Sequence, residues 1–275
     1  MNVQQLDSSV PVALISSLHR HRTLIWSLIR REVLGRYRGS MMGLMWSFFN
    51  PVLMLAVYTF VFSMIFKSRW PGGSGSKTEF AMVLFAGLMF FNLFSECVSR
   101  APGLILGNVN YVKKVVFPLE LLPVVVFGSA AFHFLISLLV WLIFYGIFFG
   151  VPPLTIFWLP LVVVPLSFFT LGVSWLLASL GVYVRDVSQM VGVFITVLMF
   201  LTPIFYPESY LPEKYHFLMN INPLTFVVVQ AREVMIFGHS LNFKLWFLQF
   251  AVSIFVAWFG FFSFQKLRNG FADVL

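Results

Sequence analysis

The chain has 275 residues, of which 60% are hydrophobic, 19% aromatic and only 10% charged. A water-soluble domain carries about 25% charged residues, so this composition excludes both a soluble enzyme and a disordered chain. The formal net charge is +8, and in a membrane protein an excess of Lys and Arg bears first on topology, ahead of any nucleic-acid binding.

The first 43 residues are predicted to form a cytoplasmic N-terminal region. Residues 1–23 lack the apolar core and the small-residue cleavage site of a signal peptide. Within residues 12–33, apolar side chains recur on one helical face and His and Arg lie on the other, which is typical of an amphipathic helix at a membrane interface. Such a helix could anchor the chain to lipid or dock a partner, and the pattern leaves both open.

Long apolar runs predict an all-α integral membrane protein whose transmembrane domain covers residues 44–265 and contains six spans. The first run, Leu44 to Phe66, extends about 34 Å at ~1.5 Å per residue, which exceeds a hydrocarbon core of ~30 Å. The second run is shorter and contains Asn92, Ser95 and Glu96. The predicted spans are 44–66, 80–98, 119–149, 154–183, 187–202 and 245–264.

The distribution of positive charge predicts the orientation of these spans. With the N-terminus inside, the cytoplasmic segments carry about twice as many Lys and Arg as the external ones. We therefore expect a multi-pass protein of the inner, cytoplasmic membrane, with both termini cytoplasmic and a tail at residues 266–275.

The segment 203–243, before the last span, is expected to form short re-entrant helices on the periplasmic side. It has apolar stretches at 215–217 and 224–229, but Pro and Asn interrupt them, so that neither stretch spans the membrane. Broken backbone at membrane depth is tolerated where protein or a water-filled cavity surrounds it. A folded external loop is the alternative. A second external segment, residues 71–76, is predicted to be a short flexible turn.

Catalytic chemistry is not evident in the sequence. Gly72 to Thr78 superficially resembles a phosphate-binding loop, but Ser76 precedes Lys77 where the motif requires Gly, and no strand precedes it. The His residues show no metal-ligand spacing with carboxylates, and the single cysteine, Cys97, excludes a disulfide and a cysteine cluster. We expect no catalytic residue, metal or cofactor in this chain, so that ATP would be hydrolysed by a partner.

Two ionisable residues lie close to the predicted membrane interior, and such residues are functional candidates by default. For Glu96, the sequence favours a side chain that reaches water from the end of a span. For His133, it favours a hydrogen bond between helices over a contact with substrate.

Basic side chains just inside the predicted membrane form a recurring pattern. They flank the first three spans at Arg36, Arg38, Arg100, Lys113 and Lys114. Arg binds phosphate in a bidentate manner, and basic residues here also attract anionic lipid. Composition alone favours ordinary positive-inside topology as the explanation, whereas a pyrophosphate-linked lipid substrate would favour phosphate binding.

Several motifs, in order along the whole chain, resemble type-2 ABC exporter permeases. The stretch RYRGS at 36–40 is followed by GLMW at 43–46 and NP at 50–51, and FPLE at 117–120 opens the third span. YVRDV at 183–187 resembles the short turn between spans four and five, and TPIFYP at 202–207 with NPL at 222–224 resembles the outer block. The branch that the chain resembles exports polysaccharide, namely O-antigen, capsule or teichoic acid.

The resemblance implies a homodimer in which each protomer docks one ATP-binding subunit, which binds ATP and Mg and drives a lipid-linked polysaccharide from cytoplasm to periplasm. It implies that the pyrophosphate of the lipid contacts Arg36, Tyr37, Arg38, Arg100, Lys113 and Lys114. It implies that coupling to the ATPase involves Arg30, Arg31, Asn108, Asn110, Tyr111, Arg185 and Asp186. It implies a periplasmic gate at Pro203, Tyr206, Pro207, Tyr210, Asn222, Pro223 and Arg232.

Other functions are weighed by features that they would require. The same architecture could export capsule, teichoic acid or a small molecule. An ion-coupled carrier would need acidic pairs within its spans and an inverted repeat, neither of which is evident. A membrane glycosyltransferase would need catalytic carboxylates on cytoplasmic loops, where few acidic residues lie away from the span ends. No nucleic-acid partner is expected.

Overall fold

The computed structural model describes residues 11–65, 70, 77–113, 117–210 and 212–275. The described residues are almost entirely helical. The α-helices are α1 (Pro11–Arg20), α2 (Arg22–Arg36), α3 (Trp46–Tyr58), α4 (Lys77–Arg100), α5 (Val109–Lys113), α6 (Leu121–Phe148), α7 (Leu159–Tyr183), α8 (Val187–Leu201), α9 (His216–Ile221), α10 (Pro223–Arg232), α11 (Phe243–Arg268) and α12 (Phe271–Val274). The predicted turn at 71–76 lies outside the described residues.

Five helices among the described residues are long and apolar enough to cross a membrane. They are Gly43–Phe62, Thr78–Gly103, Leu121–Phe148, Leu154–Tyr183 and Phe243–Arg268. The first and fourth include short 3-10 turns, Gly43–Met45 and Leu154–Trp158, at their starts. The predicted fifth span corresponds to α8, whose 15 residues extend only about 22 Å at ~1.5 Å per residue. The count of six spans therefore stays a prediction.

Helix α4 forms the centre of the bundle, although its predicted span was the most polar. Within its most apolar stretch 83% of the residues are buried, compared with 17% for α6 and 17% for α11. Helices α6, α7, α8 and α10 pack around it. The small side chains of Ala81, Ala86 and Gly87 allow these neighbours to approach closely. The outer helices leave apolar faces exposed, which is what a lipid-facing surface requires.

Helices α7 and α11 form the tightest pair in the bundle. Gly172 and Gly260 face each other so closely that a Cβ on Gly260 would overlap with the carbonyl oxygen of Gly172. The indole N–H of Trp246 donates to the carbonyl oxygen of Leu161 at 2.7 Å. Lipid tails are as apolar as the side chains, so helices in a membrane gain no hydrophobic stabilisation when they pack together. Close backbone approach of this kind is therefore the usual way in which they associate.

The predicted N-terminal helix is divided into two, since α1 ends at Arg20 and α2 begins at Arg22. Helix α2 packs against α6, where Ile29 fills the space beside Gly128. Trp26, one of the apolar residues of the predicted helix, is 70% exposed. That exposure is compatible with contact to lipid, and the interfacial role of these helices stays a prediction.

The bundle has two ends, which we name by their residues. The N-terminal end carries Arg36, Arg100, Glu120 and Arg268. The opposite end carries the segment 202–242, in which α9 and α10 are short helices between irregular stretches. Helix α10 packs on α4 and α7, so that this segment covers the bundle rather than extending from it.

Candidate functional site

A cleft of about 370 Å³ opens at the N-terminal end, between the end of α2 and helices α3, α4 and α6. Its polar lining includes Arg36, Tyr37, Asn50, Asn92, Glu96 and His133. The deeper wall, which includes Met54, Tyr58 and Phe134, is apolar and aromatic. The cleft therefore combines a charged cluster with a wall in which polar and apolar side chains are mixed.

Arg36 forms the centre of this charged cluster. Its Nη2 donates to Oε1 of Glu96 at 2.6 Å, and its Nη1 donates to Nδ1 of His133 at 2.9 Å. The side chain of Arg36 is 39% exposed, compared with 19% for Glu96. A charge-assisted pair of this length is strong, yet its cation remains accessible from the cleft.

The bonds of His133 fix its tautomer. A guanidinium can only donate, so Nδ1 of His133 accepts from Arg36 and the ring proton lies on Nε2. That N–H then donates to the hydroxyl oxygen of Tyr37, 3.1 Å away. Burial raises the pKa of Tyr37, so its phenol stays protonated at neutral pH. The prediction that His133 forms a hydrogen bond between helices is confirmed.

A second ion pair extends this network towards the surface. Arg100, one turn along α4 from Glu96, donates to Oε1 of Glu32 on α2. Nη1 of Arg100 also lies 3.8 Å from Oε1 of Glu96. The interpretation of Glu96 as a solvated span end is therefore wrong, because its carboxylate is directed into the cleft and is shared by two arginines.

The other predicted phosphate-binding residues are not gathered in the cleft. Arg38 and Lys113 are exposed and enter none of the ion pairs found among the described residues. Lys114 lies outside the described residues. The structure thus brings together Arg36, Tyr37 and, through Glu96, Arg100, and it leaves Arg38 and Lys113 exposed.

Among the predicted coupling residues, one pair is in contact. Nη2 of Arg31 on α2 donates to the hydroxyl of Tyr111 on α5 at 3.0 Å. The ring of Tyr111 stacks on Phe117 with centroids 4.4 Å apart. The exposed end of α2 is thereby joined to the segment between α4 and α6. Of the remaining predicted coupling residues, Asn108 donates through its side-chain amide to the carbonyl oxygen of Leu104. The others, Arg30, Asn110, Arg185 and Asp186, are exposed.

Glu120 anchors the same end, and sequence reasoning did not single it out. Its carboxylate accepts from the hydroxyl of Ser17 at 3.2 Å and from Nη1 of Arg268 at 2.9 Å. Its carbonyl oxygen accepts from the indole N–H of Trp175. One buried acid therefore ties α1, α7 and the end of α11 together. The sequence signals were its place in the FPLE motif at 117–120 and its position immediately before a long apolar run.

At the opposite end, Arg232 holds the predicted gate segment against the core. It is 3% exposed, and its guanidinium donates to three main-chain carbonyls, on Val83, Pro203 and Ile204, at 2.9, 2.5 and 2.7 Å. The ring of Trp70 covers the guanidinium at 4.6 Å from its centroid. Arg232 enters none of the ion pairs found in the described part of the chain.

The neighbouring gate residues make local bonds. The Asn222 side chain accepts from the backbone N–H of Leu224 at 3.0 Å, which caps α10, and donates to the hydroxyl of Thr202 at 2.8 Å. Pro223 occupies the first turn of α10, where a missing N–H has no cost. Among the rest, Pro207 is buried, Tyr206 bonds the carbonyl of Phe200, and Tyr210 is exposed.

Within the described residues, no group of three or more His, Cys, Asp or Glu side chains could hold a metal ion. Most of the loop that resembles a phosphate-binding motif lies outside these residues.

Known proteins are similar in sequence to most of this chain. A family model described as "ABC-2 type transporter" matches residues 23–236. An O-antigen export system permease protein of Myxococcus xanthus is 29% identical over 95% of this chain and 99% of its own length. One of Klebsiella pneumoniae is 27% identical over 92% and 95%, respectively. A polysialic acid transport protein of Escherichia coli is 24% identical over 84% and 90%.

Proposed function

The chain belongs to the ABC-2 type transporter family, and from that premise we propose that it is the permease of a polysaccharide exporter. It moves an O-antigen-like glycan, linked to a lipid pyrophosphate, from the cytoplasm to the periplasm. The observation that carries this proposal is the nearly full-length similarity to permeases named for O-antigen export. Energy comes from ATP, bound with Mg by a partner subunit.

The cleft at the N-terminal end suits the head group of such a substrate. A pyrophosphate needs cations that can donate in pairs, and Arg36 presents two N–H groups at the mouth. Tyr37 and Tyr58 add aromatic surface that can pack on sugar rings or isoprenoid chain. The exposed Arg38 and Lys113, together with Arg100 and Lys114, would raise the local concentration of anionic lipid.

The complex that we propose contains two copies of this chain and two ATP-binding subunits. Arg31 and Tyr111 join α2 to the segment between α4 and α6. A displacement of either element by the ATP-binding subunit would therefore move the other. The exposed Arg30, Asn110, Arg185 and Asp186 lie at the same end, where an ATPase subunit would dock. In this arrangement both termini are cytoplasmic and the protein resides in the inner membrane.

The opposite end acts, in this proposal, as the periplasmic gate. The residues from Pro203 to Arg232 form short helices that cover the bundle and leave apolar surface at Phe217 and Ile221 exposed. Displacement of these helices would open a route between protomers. Pro203, Tyr206, Pro207, Tyr210, Asn222, Pro223 and Arg232 are the residues on which this gating depends.

A second cargo has its own support. The similarity to a polysialic acid transport protein favours a capsule polymer as the alternative substrate. The cleft at Arg36 alone does not separate the two polymers. The kind of glycan that stimulates ATP turnover, an O-antigen-like polymer or polysialic acid, distinguishes them.

Export in cells tests the proposal. The double variant Arg36→Ala, Arg38→Ala, expressed with its ATP-binding partner in a strain that lacks its own permease, is expected to lose surface polysaccharide while the complex still assembles. The control is Lys244→Ala, which removes an exposed cation from the opposite end. Normal export by the double variant would remove these two residues from the proposed site.

A further inference from the structure

We infer that Glu96 is an internal counter-anion that occupies Arg36 when no substrate is bound, and that an entering phosphate must displace it. This inference rests on the proposed function, because it assigns a competitor at the same site. It would make Glu96 a positioning residue that sets the affinity and selectivity of the cleft for anionic head groups.

The geometry places the carboxylate where a phosphate oxygen would bind. Oε1 of Glu96 accepts from Nη2 of Arg36 at 2.6 Å, while the second fork nitrogen, Nη1, is engaged by His133. Both fork nitrogens are therefore occupied by protein groups at the mouth of the cleft. The guanidinium has five N–H groups, but a phosphate that takes the N–H bonded to Glu96 must displace the carboxylate, whose negative charge would otherwise repel it at 2.6 Å from Nη2.

The network is built so that this exchange leaves no stranded charge. When Arg36 leaves, Glu96 still faces Arg100, whose Nη1 lies 3.8 Å from its Oε1. Arg100 is in turn held to Glu32, so its position does not depend on Arg36. The remaining charged or titratable groups around Glu96 are His133, with Nδ1 at 3.6 Å from Oε2, and Tyr37 beyond it.

The exposed fractions of the two side chains indicate that Arg36, and not Glu96, moves when a phosphate binds. Arg36 is 39% exposed and Glu96 is 19% exposed, so the cation can turn into the cleft while the acid stays against α4 and α6. Arg36 also lies at the last residue of α2, immediately before an irregular stretch, where its backbone is less constrained than that of Glu96 within α4. The mobile partner is thus the arginine.

A structural role alone would predict a different response to mutation. If the pair only held α2 to α4, then removal of either partner would weaken head-group binding. If Glu96 competes with the substrate, removal of Arg36 weakens binding and removal of the carboxylate strengthens it. The two substitutions therefore have opposite signs only under the competition that we infer.

The test uses the full-length permease with its ATP-binding partner in nanodiscs, and farnesyl pyrophosphate and farnesol as matched probes. The dissociation constant of farnesol divided by that of farnesyl pyrophosphate isolates the contribution of the anionic head group. We expect Glu96→Gln to raise this ratio about tenfold and Arg36→Gln to reduce it to about one. In the double variant, Glu96→Gln is expected to have no further effect.

Glu32→Gln is the matched control. It removes one carboxylate with the same change of net charge from the same network, but Glu32 bonds Arg100 and does not line the cleft. We expect it to leave the ratio unchanged within twofold. An equal rise in both variants would show a general charge effect and would overturn the inference. If Glu96→Gln fails to assemble, Glu96→Asp, which shortens the acid by one methylene, is expected to raise the ratio about threefold.

The outcomes separate this inference from the function on which it rests. If the wild-type complex binds both probes equally, the lipid-pyrophosphate site fails and the inference fails with it. If the wild type prefers the pyrophosphate but Glu96→Gln and Glu96→Asp leave that preference unchanged or weaken it, only the inference is overturned. Inorganic pyrophosphate, used as competitor, identifies whether the exchanged anion is a free phosphate or a lipid head group.

Discussion

Arg36 and Arg232 show two opposite ways in which this bundle holds an arginine. Arg36 lies beside an open cleft, 39% exposed, and is bonded to the side chains of Glu96 and His133. Arg232 is 3% exposed and is bonded to three main-chain carbonyls beneath the ring of Trp70. Side-chain partners can be exchanged for a ligand, whereas carbonyls of packed segments cannot move without moving the fold. The first arrangement suits binding, and the second suits a clamp.

The largest effect is expected from Arg232→Leu. The change removes the side-chain donor from the buried carbonyls of Pro203 and Ile204, while that of Val83 keeps its place in the hydrogen bonding of α4. Each orphaned group costs about 1–3 kcal/mol, so the total loss of stability is roughly 2–6 kcal/mol. Thermal unfolding can be followed through labelling of Cys97, which is buried and becomes reactive when the bundle opens. Arg232→Lys, which retains a donor, should lie between this variant and the wild type. An unchanged unfolding temperature for Arg232→Leu would contradict the clamp.

The next largest loss of stability is expected at the contact between α7 and α11, where the backbones of the two helices touch. Gly260→Ala places a Cβ into the carbonyl of Gly172, and overpacking of this kind costs about 1–3 kcal/mol. The same thermal assay should show a clear decrease. Gly146→Ala on α6 is the control, because nothing lies within 4 Å of the added Cβ. Equal behaviour of the two variants would show that α7 and α11 can separate at little cost.

Arg36→Gln tests the other arginine of this comparison, which we expect to affect export more than stability. Its ion pair is partly exposed and contributes at most about 1 kcal/mol, so the unfolding temperature should fall by no more than a few degrees. Polysaccharide export by the same variant should fall several-fold, because the cleft loses its cation. A strongly destabilised but active Arg36→Gln protein would reverse the roles that we assign to the two arginines.

The smallest effect is expected from Tyr111→Phe. The variant keeps the ring that stacks on Phe117 and removes only the hydroxyl that accepts from Arg31. We expect a change of stability below about 0.5 kcal/mol for this exposed hydrogen bond. Stimulation of ATP turnover by substrate should nevertheless decrease, since the link between α2 and α5 is lost. Unaltered stimulation would remove this pair from the coupling surface.

Sequence reasoning located the long helices because apolar runs are local features. The third, fourth and last predicted spans agree with α6, α7 and α11 to within a few residues. The cap at Asn222 and Pro223 was not predicted, although both residues act on the turn that follows them; the sequence analysis identified them only as interruptions of an apolar segment and as gate candidates. The central position of α4 could not be predicted, because it depends on which helices pack together and an apolar run does not encode that.

The charged site could be read only in part. Arg36, Tyr37 and Arg100 were identified as candidates, but the partners that define their geometry lie far away in the chain. Glu96 is 60 residues from Arg36, and Val83 is 149 residues from Arg232. Pairings of that range depend on how the helices pack, and a single sequence carries no periodic signal for them. The ion-paired state of Arg36 therefore became apparent only in the folded bundle.

ATP turnover by the complex of this chain with its ATP-binding partner, measured with and without a lipid-linked glycan, tests the central claim most directly. The account predicts an assembly of two plus two subunits whose turnover changes when the glycan is added, and whose response is lost in Arg36→Gln. A chain that binds no ATPase subunit, or a complex whose turnover is indifferent to the glycan, would contradict the claim that this permease exports polysaccharide.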